Sequence, residues 1–463
     1  MHNQFITKSL CILFFLTSAI YLKPIDRYVA KNGQNPIPPY TNWNTAASNI
    51  QEVVDVCSMD DTIWVDSGIY YANPVATNIG NITNVIFISK KINLISINGP
   101  SNTIIDGANL NRVIYCRNFT NLYISGFTIR NGMATHYGGG MHIYSTIAST
   151  ITVANCIIES NMAKWSNSTI IYGGGIYAEG SFGGTNSMFV ISNCYIKDNI
   201  VSNNGNEIRY AYGGGACFYL FGAKIYNSTI ENNIAGEAGG GLLFRTGAHL
   251  NNIVENCIIK ANKAVYGTIG GRGGGGIAIS PSGASYKESS LIIRNSLFYD
   301  NYAYLSGGAI LNSSVNITNI LENCTIVKNY ATSSGGGIFG VTNSSWLIAN
   351  SIIISNTSPG VSSNFSIYNT TILYSCIPST NGIFHGTTNS YATNNIYDNP
   401  MFVNYSSDDF RLNKDSLCID SGTILDWHIN ATDLDGKRRL GITGKVDIGC
   451  YEFSHPGTIF TFE

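Results

Sequence analysis

The sequence predicts an all-β protein built as a solenoid, in which short strands stack coil upon coil around one continuous core. Two observations lead to this prediction. A pair of asparagines six residues apart recurs along the chain, and a run of glycines lies between successive pairs. The composition agrees, because only 12% of the 463 residues are charged whereas 54 are asparagine and 49 are glycine. Few charges and many turn-forming residues favour short strands and tight corners over helical bundles.

The repeat has the pattern Asn-(Cys/Ser)-x-x-x-x-Asn and occurs seven times, with a degenerate copy starting at Ser125. Its first asparagines are Asn155, Asn193, Asn227, Asn256, Asn295, Asn323 and Asn350. Successive copies begin between 27 and 39 residues apart. A shortest period of 27 residues with several short strands fits one coil of a β-solenoid, whose coils bury a core only by stacking. Loops that grow at the corners explain the longer periods.

Aligning the copies predicts which side chains face the core. A small residue follows the first asparagine and a large apolar residue comes two positions later, as on the inward face of a strand. After each glycine run, one inward column is predicted to contain Met141, Ile176, Ala216, Leu242, Ile277, Ala309 and Ile338. The next inward column is predicted to contain Ile143, Ala178, Phe218, Phe244, Ile279, Leu311 and Gly340.

The corners and the cysteines follow from the same alignment. Asparagine tolerates the left-handed backbone of a corner better than most residues, and its side chains can hydrogen-bond along a stack. Glycine suits a second corner that needs positive φ. The repeat cysteines share their column with serine and lack Cys-x-x-Cys spacing, so they are predicted to be small core residues rather than disulfides or metal ligands. They are Cys156, Cys194, Cys257 and Cys324.

The chain start predicts a secretory signal peptide over residues 1–22. Lys8 supplies a positive charge, Leu10 to Leu16 an apolar core, and Thr17 to Ala19 a small-residue cleavage site. The alternative is a membrane anchor, but the apolar stretch from Leu10 to Leu22 has only 13 residues and is too short to span a bilayer comfortably. We therefore expect a bacterial protein that is secreted or held at the cell surface, with no transmembrane segment in the mature chain.

Three regions are predicted after the signal peptide. Residues 23–84 form an N-terminal cap, in which Thr45 to Ser58 has the apolar spacing of a short amphipathic helix that could close the end of the core. Residues 85–379 form the solenoid. Residues 380–463 form a small C-terminal β-rich domain.

The repeats carry a resemblance to a known fold. The pair formed by Gly307 to Ile310 and Phe298 to Asn301, with six close variants, resembles the repeats of the polymorphic outer membrane proteins, which are surface adhesins. These repeats look like the right-handed parallel β-helix superfamily, the pectin-lyase-like fold. At the N terminus, Tyr28 to Gly33, Ile50 to Val56 and Asp60 to Tyr70 resemble the usual lead-in of secreted β-helices.

The C-terminal stretch resembles the choice-of-anchor Q domain, which follows β-helices on secreted and surface-sorted bacterial proteins. The resemblance rests on Asn399 to Phe402, Asp409 to Leu412, Ser416 to Gly422, Thr432 to Arg438 and Val446 to Glu452. Together the matches imply a right-handed parallel β-helix over most of the mature chain. They say little about activity, because one fold hosts many functions.

In a right-handed β-helix, ligand grooves lie on the outer face of a flat parallel sheet. Residues that alternate with the inward columns point outwards there, and neighbouring coils lie about 4.8 Å apart. The predicted binding patch is His142, Tyr144, Tyr177, Glu179, Tyr219 and Arg245. Aromatic faces suit sugar rings, and the charges could orient an acidic saccharide. The alternative is that tyrosine is simply favoured on strand surfaces.

Two functions remain open from the sequence. The first is a binding protein for glycan or for a surface or matrix partner, as an adhesin would be. The second is a polysaccharide lyase or glycoside hydrolase, with His142, Glu179 or Arg245 in acid or base roles. We favour binding, because no repeat column stacks the two or three carboxylates that hydrolases of this fold need. A net charge of -2 argues against a nucleic-acid partner.

Charged residues elsewhere are predicted to be structural. Glu159, Lys197, Glu231 and Lys260 alternate in sign on neighbouring strands, as in a cross-strand ion ladder. A C-terminal group of acids accompanies Arg438 and Arg439, and it favours a buried network that holds turns over a calcium site. Its members are Asp420, Asp433, Asp435, Asp447 and Glu452. No cofactor or metal is therefore assigned, although calcium stays an alternative.

Overall fold

The computed structural model describes residues 23–32, 35–72, 78–79, 82–117, 121–165, 170–180, 187–203, 210–246, 251–267, 272–281, 289–315, 317–359, 363–379, 382–385, 391–441 and 444–454. The predicted signal peptide lies outside these described residues. The described chain is almost entirely β, and it winds into a right-handed parallel β-helix as predicted. Four long sheets run along the helix, and each coil contributes strands to them in the order 1, 2, 3, 4.

The strands of a sheet come from successive coils and are parallel, apart from one antiparallel pair at the start of sheet 4. Sheet 1 comprises Asp26–Val29, Thr62–Val65, Ile92–Ser96, Asn121–Ser125, Thr150–Ala154, Met188–Ser192, Gly222–Tyr226, Asn251–Glu255, Ser289–Arg294, Ile317–Glu322, Ser345–Ala349, Thr370–Leu373 and Tyr391–Thr393. Sheet 2 comprises Gly68–Tyr70, Thr103–Asp106, Thr128–Arg130, Ile157–Glu159, Tyr195–Lys197, Thr229–Glu231, Ile258–Lys260, Leu297–Tyr299, Thr325–Val327 and Ile352–Ile354.

The other two sheets complete each coil. Sheet 3 comprises Met133–Thr135, Met162–Trp165, Ile200–Asn203, Ile234–Ala235, Lys263–Ala264, Tyr302–Ala303 and Tyr330–Ala331. Sheet 4 comprises Asn78–Ile79, Ile82–Ile88, Arg112–Arg117, Met141–Ser145, Ile176–Gly180, Ala216–Tyr219, Leu242–Thr246, Ile277–Pro281, Ile310–Asn312, Ile338–Gly340, Phe365–Tyr368 and Gly382–His385. Two strand pairs lie outside these sheets, namely Ile171–Tyr172 with Ala211–Tyr212, and the antiparallel hairpin of Phe402–Asn404 with Asp409–Leu412.

The described part of the chain contains one α-helix, α1 (Ile50–Val56), where the sequence predicts a capping helix. The Asn49 side chain accepts the Gln51 amide at 2.8 Å and caps its first turn. Ile50, Val53 and Val54 are buried in the same core cluster as the first coils. Short 3₁₀ helices lie at Trp43–Thr45, Tyr405–Ser407 and Asp426–Asn430.

The corner prediction is confirmed and extended. The seven first asparagines all have φ between 46° and 55°, the left-handed region. The second asparagines form a buried ladder, in which each Nδ2 donates to the Oδ1 of the asparagine in the next coil at 2.9 to 3.0 Å, as from Asn161 to Asn199. The residue just before each ladder asparagine is also left-handed, although its type varies from Ser160 to Lys328. The ladder therefore fixes a second corner that residue type alone does not predict.

The cysteine column is confirmed as core, and it has a hydrogen-bonding role. Cys156, Cys194, Cys257 and Cys324 are buried, and all ten cysteines in the described residues carry free thiols. The column's side chains accept a backbone amide of the preceding coil, as where the Cys194 amide donates to the Ser228 hydroxyl at 3.0 Å. This explains why only small residues with an acceptor atom, cysteine or serine, fill the column.

One column assignment is wrong. Ile310, not Ala309, pairs with Ile277 and Ile338 on the inward face, and Leu311 consequently points outwards. This coil has two consecutive glycines, whereas the preceding coil has four and the next has three. Ala309 takes the place of the last glycine, and the Ile277 amide donates to its carbonyl at 2.8 Å. The strand register is therefore shifted by one residue, which exchanges the two faces.

The C-terminal boundary lies later than residue 380. Strands Gly382–His385 and Tyr391–Thr393 still pair with the last coils, and Cys376 is bridged to Ile396. Residues 397–454, here called the C-terminal segment, then fold back along the side of the solenoid. Phe410 and Tyr451 pack on Leu297 and Val327 of sheet 2 in one buried cluster. The segment therefore covers the last coils of sheet 2 instead of standing apart from them.

Candidate ligand-binding face on sheet 4

The outward side chains of sheet 4 form two parallel rows, because strand residues alternate between faces. We call the row at the second strand position the covered row; it is Tyr115, His142, Tyr177, Cys217, Leu243, Ala278, Leu311 and Phe339. We call the row at the fourth position the open row; it is Arg117, Tyr144, Glu179, Tyr219, Arg245 and Ser280. Neighbours within a row are directly paired and lie about 4.8 Å apart. All six predicted patch residues belong to these two rows.

Two of the six predicted residues are not accessible. His142 is 8% exposed and Tyr177 is 2% exposed. Tyr137 and Tyr172 lie over Tyr177, with ring centroids 5.0 and 5.3 Å away. These two tyrosines come just before glycine turns, and the chain folds back there across the outer face of the sheet. The prediction that His142 and Tyr177 line an open groove is therefore wrong, and both belong to a second, aromatic core.

This aromatic core extends over several coils, and sequence reasoning missed five of its eight rings. Its rings are linked by centroid distances of 5.0 to 6.1 Å and belong to Phe87, Tyr115, Tyr137, His142, Tyr172, Tyr177, Tyr212 and Tyr219. One sequence signal could have revealed three of the missed rings. A tyrosine directly precedes the glycine run in three successive coils, at Tyr137, Tyr172 and Tyr212. Burial raises the pKa of Tyr177 and lowers that of His142, so both are uncharged at neutral pH.

Arg245 lies in the open row between Tyr219 and Ser280. Its guanidinium lies over the rings of Tyr172 and Tyr219, 5.3 and 5.2 Å from their centroids. It also bonds the Tyr172 hydroxyl and donates from Nη2 to the Pro281 carbonyl at 3.1 Å. These contacts hold the cation in place, while its Nε is buried without a hydrogen-bond partner among the described residues. An arginine fixed by aromatic faces is a positioned donor for an anionic group.

Glu179 lies in the middle of the open row, paired with Tyr144 on one side and Tyr219 on the other. Its side chain is half-buried. Burial raises the pKa of the Glu179 carboxyl above its usual value, and a hydrogen bond from Tyr177 opposes the shift. A half-buried acid between two tyrosines can accept hydrogen bonds from sugar hydroxyls.

A second charged pair borders the same face. Glu237 is fully buried one residue before the Ala238 that continues the Tyr172 and Tyr212 column, and it bonds Arg272 of the next coil. Its Oε2 is buried without a partner among the described residues. The His142 Nε2 and Arg245 Nε atoms of this face are in the same condition. Unpartnered buried polar atoms are rare in native proteins, and their concentration here marks the face as a candidate site.

The other charged groups are structural, as predicted. In the ion ladder, Lys197 lies 3.1 Å from Glu159, and Lys260 lies 3.2 Å from Glu231. In the C-terminal segment, Asp433 accepts the amides of Asp435, Lys437 and Glu452 at 2.7 to 2.9 Å. Asp447 likewise accepts the amides of Asp420 and Phe453, and Arg439 pairs with Glu452 at 2.7 Å. Within the described residues no three His, Cys, Asp or Glu side chains are grouped to hold a metal ion.

Comparison with known proteins identifies the fold and no family. No family model matches the chain, and a search of curated proteins found no match. Among solved structures, the chain is similar to that of "Crystal structure of pectate lyase Pel9A", with a TM-score of 0.53 and 14% identity over 94% of this chain and 97% of that one. A rhamnogalacturonan lyase matches at a TM-score of 0.37 and 16% identity, covering 82% of this chain and 90% of that one. In the described part of the chain, no helix has the length and apolarity needed to cross a membrane. The protein thus has the pectin-lyase-like, right-handed parallel β-helix fold.

Proposed function

We propose that the protein binds an acidic polysaccharide along the open row of sheet 4. The observation that carries the proposal is the register of that row, in which Tyr144, Glu179, Tyr219 and Arg245 lie side by side on four successive strands. Its repeat of about 4.8 Å per strand suits a ligand that is itself extended and periodic. A flat aromatic surface with a few fixed polar groups is the usual composition of a sugar site.

The charges of the row favour an anionic ligand. Arg117 lies over the Tyr144 ring at one end, 5.7 Å from its centroid, and Arg245 lies next to Ser280, the last residue of the row. Between them Glu179 carries the single acidic group of the row. The two arginines therefore outnumber the acid, and guanidinium groups bind carboxylates through paired hydrogen bonds. A uronate polymer, with one carboxylate per sugar, matches this arrangement.

An enzyme of the same fold is the second candidate, as a lyase or hydrolase. It is favoured by the pKa of Glu179, which burial raises above its usual value, as is common for catalytic carboxyl groups. Against it, Glu179 has no second carboxylate in its row, and Glu237 is already paired with Arg272. Arg245, the other predicted catalytic residue, is held by two tyrosines and the Pro281 carbonyl. Buried His142 has no access to a polymer, and so binding is the better supported function.

We further propose that the protein acts outside the cell, where such polymers occur. The signal peptide predicted over residues 1–22 and the resemblance of the C-terminal segment to the choice-of-anchor Q domain support this location. The same features suit an adhesin whose partner is a cell-surface or matrix polysaccharide.

Retention on immobilised polygalacturonate and alginate tests the proposal. We expect Tyr219→Ala and Arg245→Gln each to weaken retention about tenfold, the loss of one aromatic or charge-assisted contact. Tyr330→Ala is the matched control, because Tyr330 is also a partly exposed tyrosine stacked on its neighbour Tyr302, but on sheet 3. Circular dichroism checks that the variants fold. Equal retention by all variants contradicts the assignment of the row.

The same samples decide between binding and catalysis. We expect no new reducing ends and no unsaturated products after incubation with either polymer, with or without calcium. Product release that disappears in Glu179→Gln would instead establish the enzyme and place Glu179 in its mechanism.

A further inference from the structure

A cleft of about 930 Å³ lies between the last coils and the C-terminal segment, several coils downstream of the open row. Its floor is formed by the ends of the last coils, from Ile354 to Thr357, and its opposite wall by the hairpin that begins at Phe402. This volume lies within the range of small-ligand sites. It is lined by Ile354, Ser355, Asn356, Thr357, Ser363, Asn364, Pro378, Ser379, Tyr397, Asp398, Asn399, Met401, Phe402, Tyr405 and Asn413.

Two tyrosines of the cleft are unusually exposed. Tyr397 is 55% exposed and Tyr405 is 42% exposed, whereas most large apolar side chains of this protein are buried. The Phe402 ring is stacked 6.5 Å from the Tyr405 ring, and the Lys328 ammonium lies 4.6 Å from the Tyr405 centroid. Lys328 is itself fixed by an ion pair with Asp408. The ring is therefore a pre-organised platform, and a ligand stacking on it orders little that is mobile.

Three polar side chains of the cleft are oriented by their own backbone. The Oδ1 atoms of Asp398 and Asn399 accept the amides of Asn399 and Met401 at 2.7 and 2.9 Å, and Asn413 Oδ1 accepts the Asp415 amide at 3.3 Å. Each turn fixes one side-chain oxygen. The NH₂ groups of Asn399 and Asn413 make no hydrogen bond to other described residues. Fixed amide donors near a carboxylate acceptor suit the hydroxyl groups of a sugar.

The charge of the cleft separates it from the open row. Asp398 is the one charged residue among the described lining residues, and the cation beside Tyr405, Lys328, is already paired with Asp408. A uronate carboxylate would meet a like charge at this point, and burial of the pair would be unfavourable. A neutral sugar would instead offer hydroxyl donors to Asp398 and acceptors to the asparagines.

We propose that this cleft binds a short neutral oligosaccharide, with Tyr397 and Tyr405 as stacking platforms and Asp398, Asn399 and Asn413 as hydrogen-bonding groups. The site is independent of the open row of sheet 4. It gives the protein a second carbohydrate specificity, because the cleft carries one acidic group whereas the open row carries two arginines and one acid.

Calorimetric titration of the full mature chain with neutral tetrasaccharides of the gluco, xylo, manno and galacto series tests the proposal. We expect at least one to bind, and Tyr405→Ala to weaken it at least tenfold. Asn399→Asp keeps the oxygen that caps the turn and removes the amide donors, so it is expected to weaken binding without unfolding. Tyr219→Ala, on sheet 4, is expected to leave this binding unchanged.

The outcomes are distinguishable from those for the open row. No heat from any tetrasaccharide at millimolar concentration overturns the cleft assignment, whatever happens with polygalacturonate. Binding that survives both Tyr405→Ala and Asn399→Asp overturns it as well. Binding lost in Tyr219→Ala would move the neutral site to sheet 4.

Discussion

The two halves of sheet 2 carry different outward side chains, although their strands pair in the same parallel way. At the third strand position, the upstream strands carry Glu159, Lys197, Glu231 and Lys260. The downstream strands carry Tyr299, Val327 and Ile354 at the same position. The charges stop at the coils where the C-terminal segment packs, and Phe410 and Tyr451 lie against the apolar half. Side chains thus follow what covers each coil, while the strands and their register stay the same.

The corner asparagines show the same division. Asn155, Asn193 and Asn227 are exposed, whereas Asn295, Asn323 and Asn350 are 0% exposed. Upstream, the amide of Asn193 bonds along the column to Asn155. Downstream, the column continues, and the asparagine side chains also donate to carbonyls of the C-terminal segment, as to Thr432 at 2.8 Å and to Thr423 at 2.7 Å.

The two halves of the solenoid therefore differ in what they contact. The C-terminal segment packs against the downstream coils, and we call the contacts between the two the clamp. In sheet 4, strands Ile310–Asn312 and Ile338–Gly340 end before the position of the open row. The open row lies on the upstream strands from Arg112–Arg117 to Ile277–Pro281, and on sheet 2 the C-terminal segment reaches upstream as far as Ile258. The proposed open row therefore lies on the upstream coils, whereas the C-terminal segment packs mainly on the downstream coils.

Removing a buried charge of the clamp is expected to have the largest effect. Arg439 is 0% exposed and bonds Glu452 and Asn295. Arg439→Met leaves Glu452 buried without its partner, and we expect the free energy of unfolding to fall by about 4 kcal/mol. Lys197→Met in the upstream ion ladder is the control, with an expected loss below about 1 kcal/mol. Urea denaturation measures both. Similar losses in the two variants would remove the distinction between the halves.

The internal asparagine ladder should not distinguish the halves. Asn233→Ala upstream and Asn329→Ala downstream each remove an acceptor for two donors of the preceding coil. Because the ladder is buried along its whole length, we expect each variant to lose about 3 kcal/mol. Urea denaturation of the pair provides the check. A loss confined to one half would mean that the ladder contributes unequally.

Replacing a corner asparagine should destabilise the downstream half more than the upstream half. Glycine adopts positive φ freely, so replacement by glycine removes the side chain without backbone strain. Asn323→Gly removes the hydrogen-bond partner of the buried His428 Nε2 and of the Asp447 carbonyl, and we expect a loss of about 2 kcal/mol. Asn193→Gly, at an exposed corner, is expected to change stability by less than about 0.5 kcal/mol. Thermal melts of the two variants give the comparison, and the reverse order would refute it.

Acid should loosen the clamp selectively. Burial, reinforced by Arg439 and Arg294, lowers the pKa of His428 from 6.5 to about 4. The unfolded chain takes up a proton near pH 6.5 and the folded chain does not, so stability is lost as the pH falls from about 6.5 to about 4. Compared with His428→Gln, we expect wild type to lose about 2 to 3 kcal/mol more across this window. Glu452, whose pKa burial raises to about 8, titrates in both proteins and cancels. Parallel pH curves for the two proteins would contradict this role.

Much of this architecture could be predicted from the sequence, because a repeat reports its own periodicity. The left-handed corners at the first asparagines, the cysteine column and the capping helix all follow from residue type at fixed spacing. The burial of His142 and Tyr177 could not be predicted in the same way, since it depends on Tyr137 and Tyr172 folding over the sheet from neighbouring turns. Strand alternation shows which face a side chain takes and not what covers that face. The packing of the C-terminal segment on sheet 2 could not be predicted for the same reason, because it too depends on what covers an outer face.

Hydroxyl-radical footprinting of the protein with and without polygalacturonate tests the division between display and support most directly. The account predicts reduced oxidation of Tyr144 and Tyr219, and unchanged oxidation of Tyr302 and Tyr330 on sheet 3. Bound polymer that leaves Tyr144 and Tyr219 as reactive as in the free protein would contradict it.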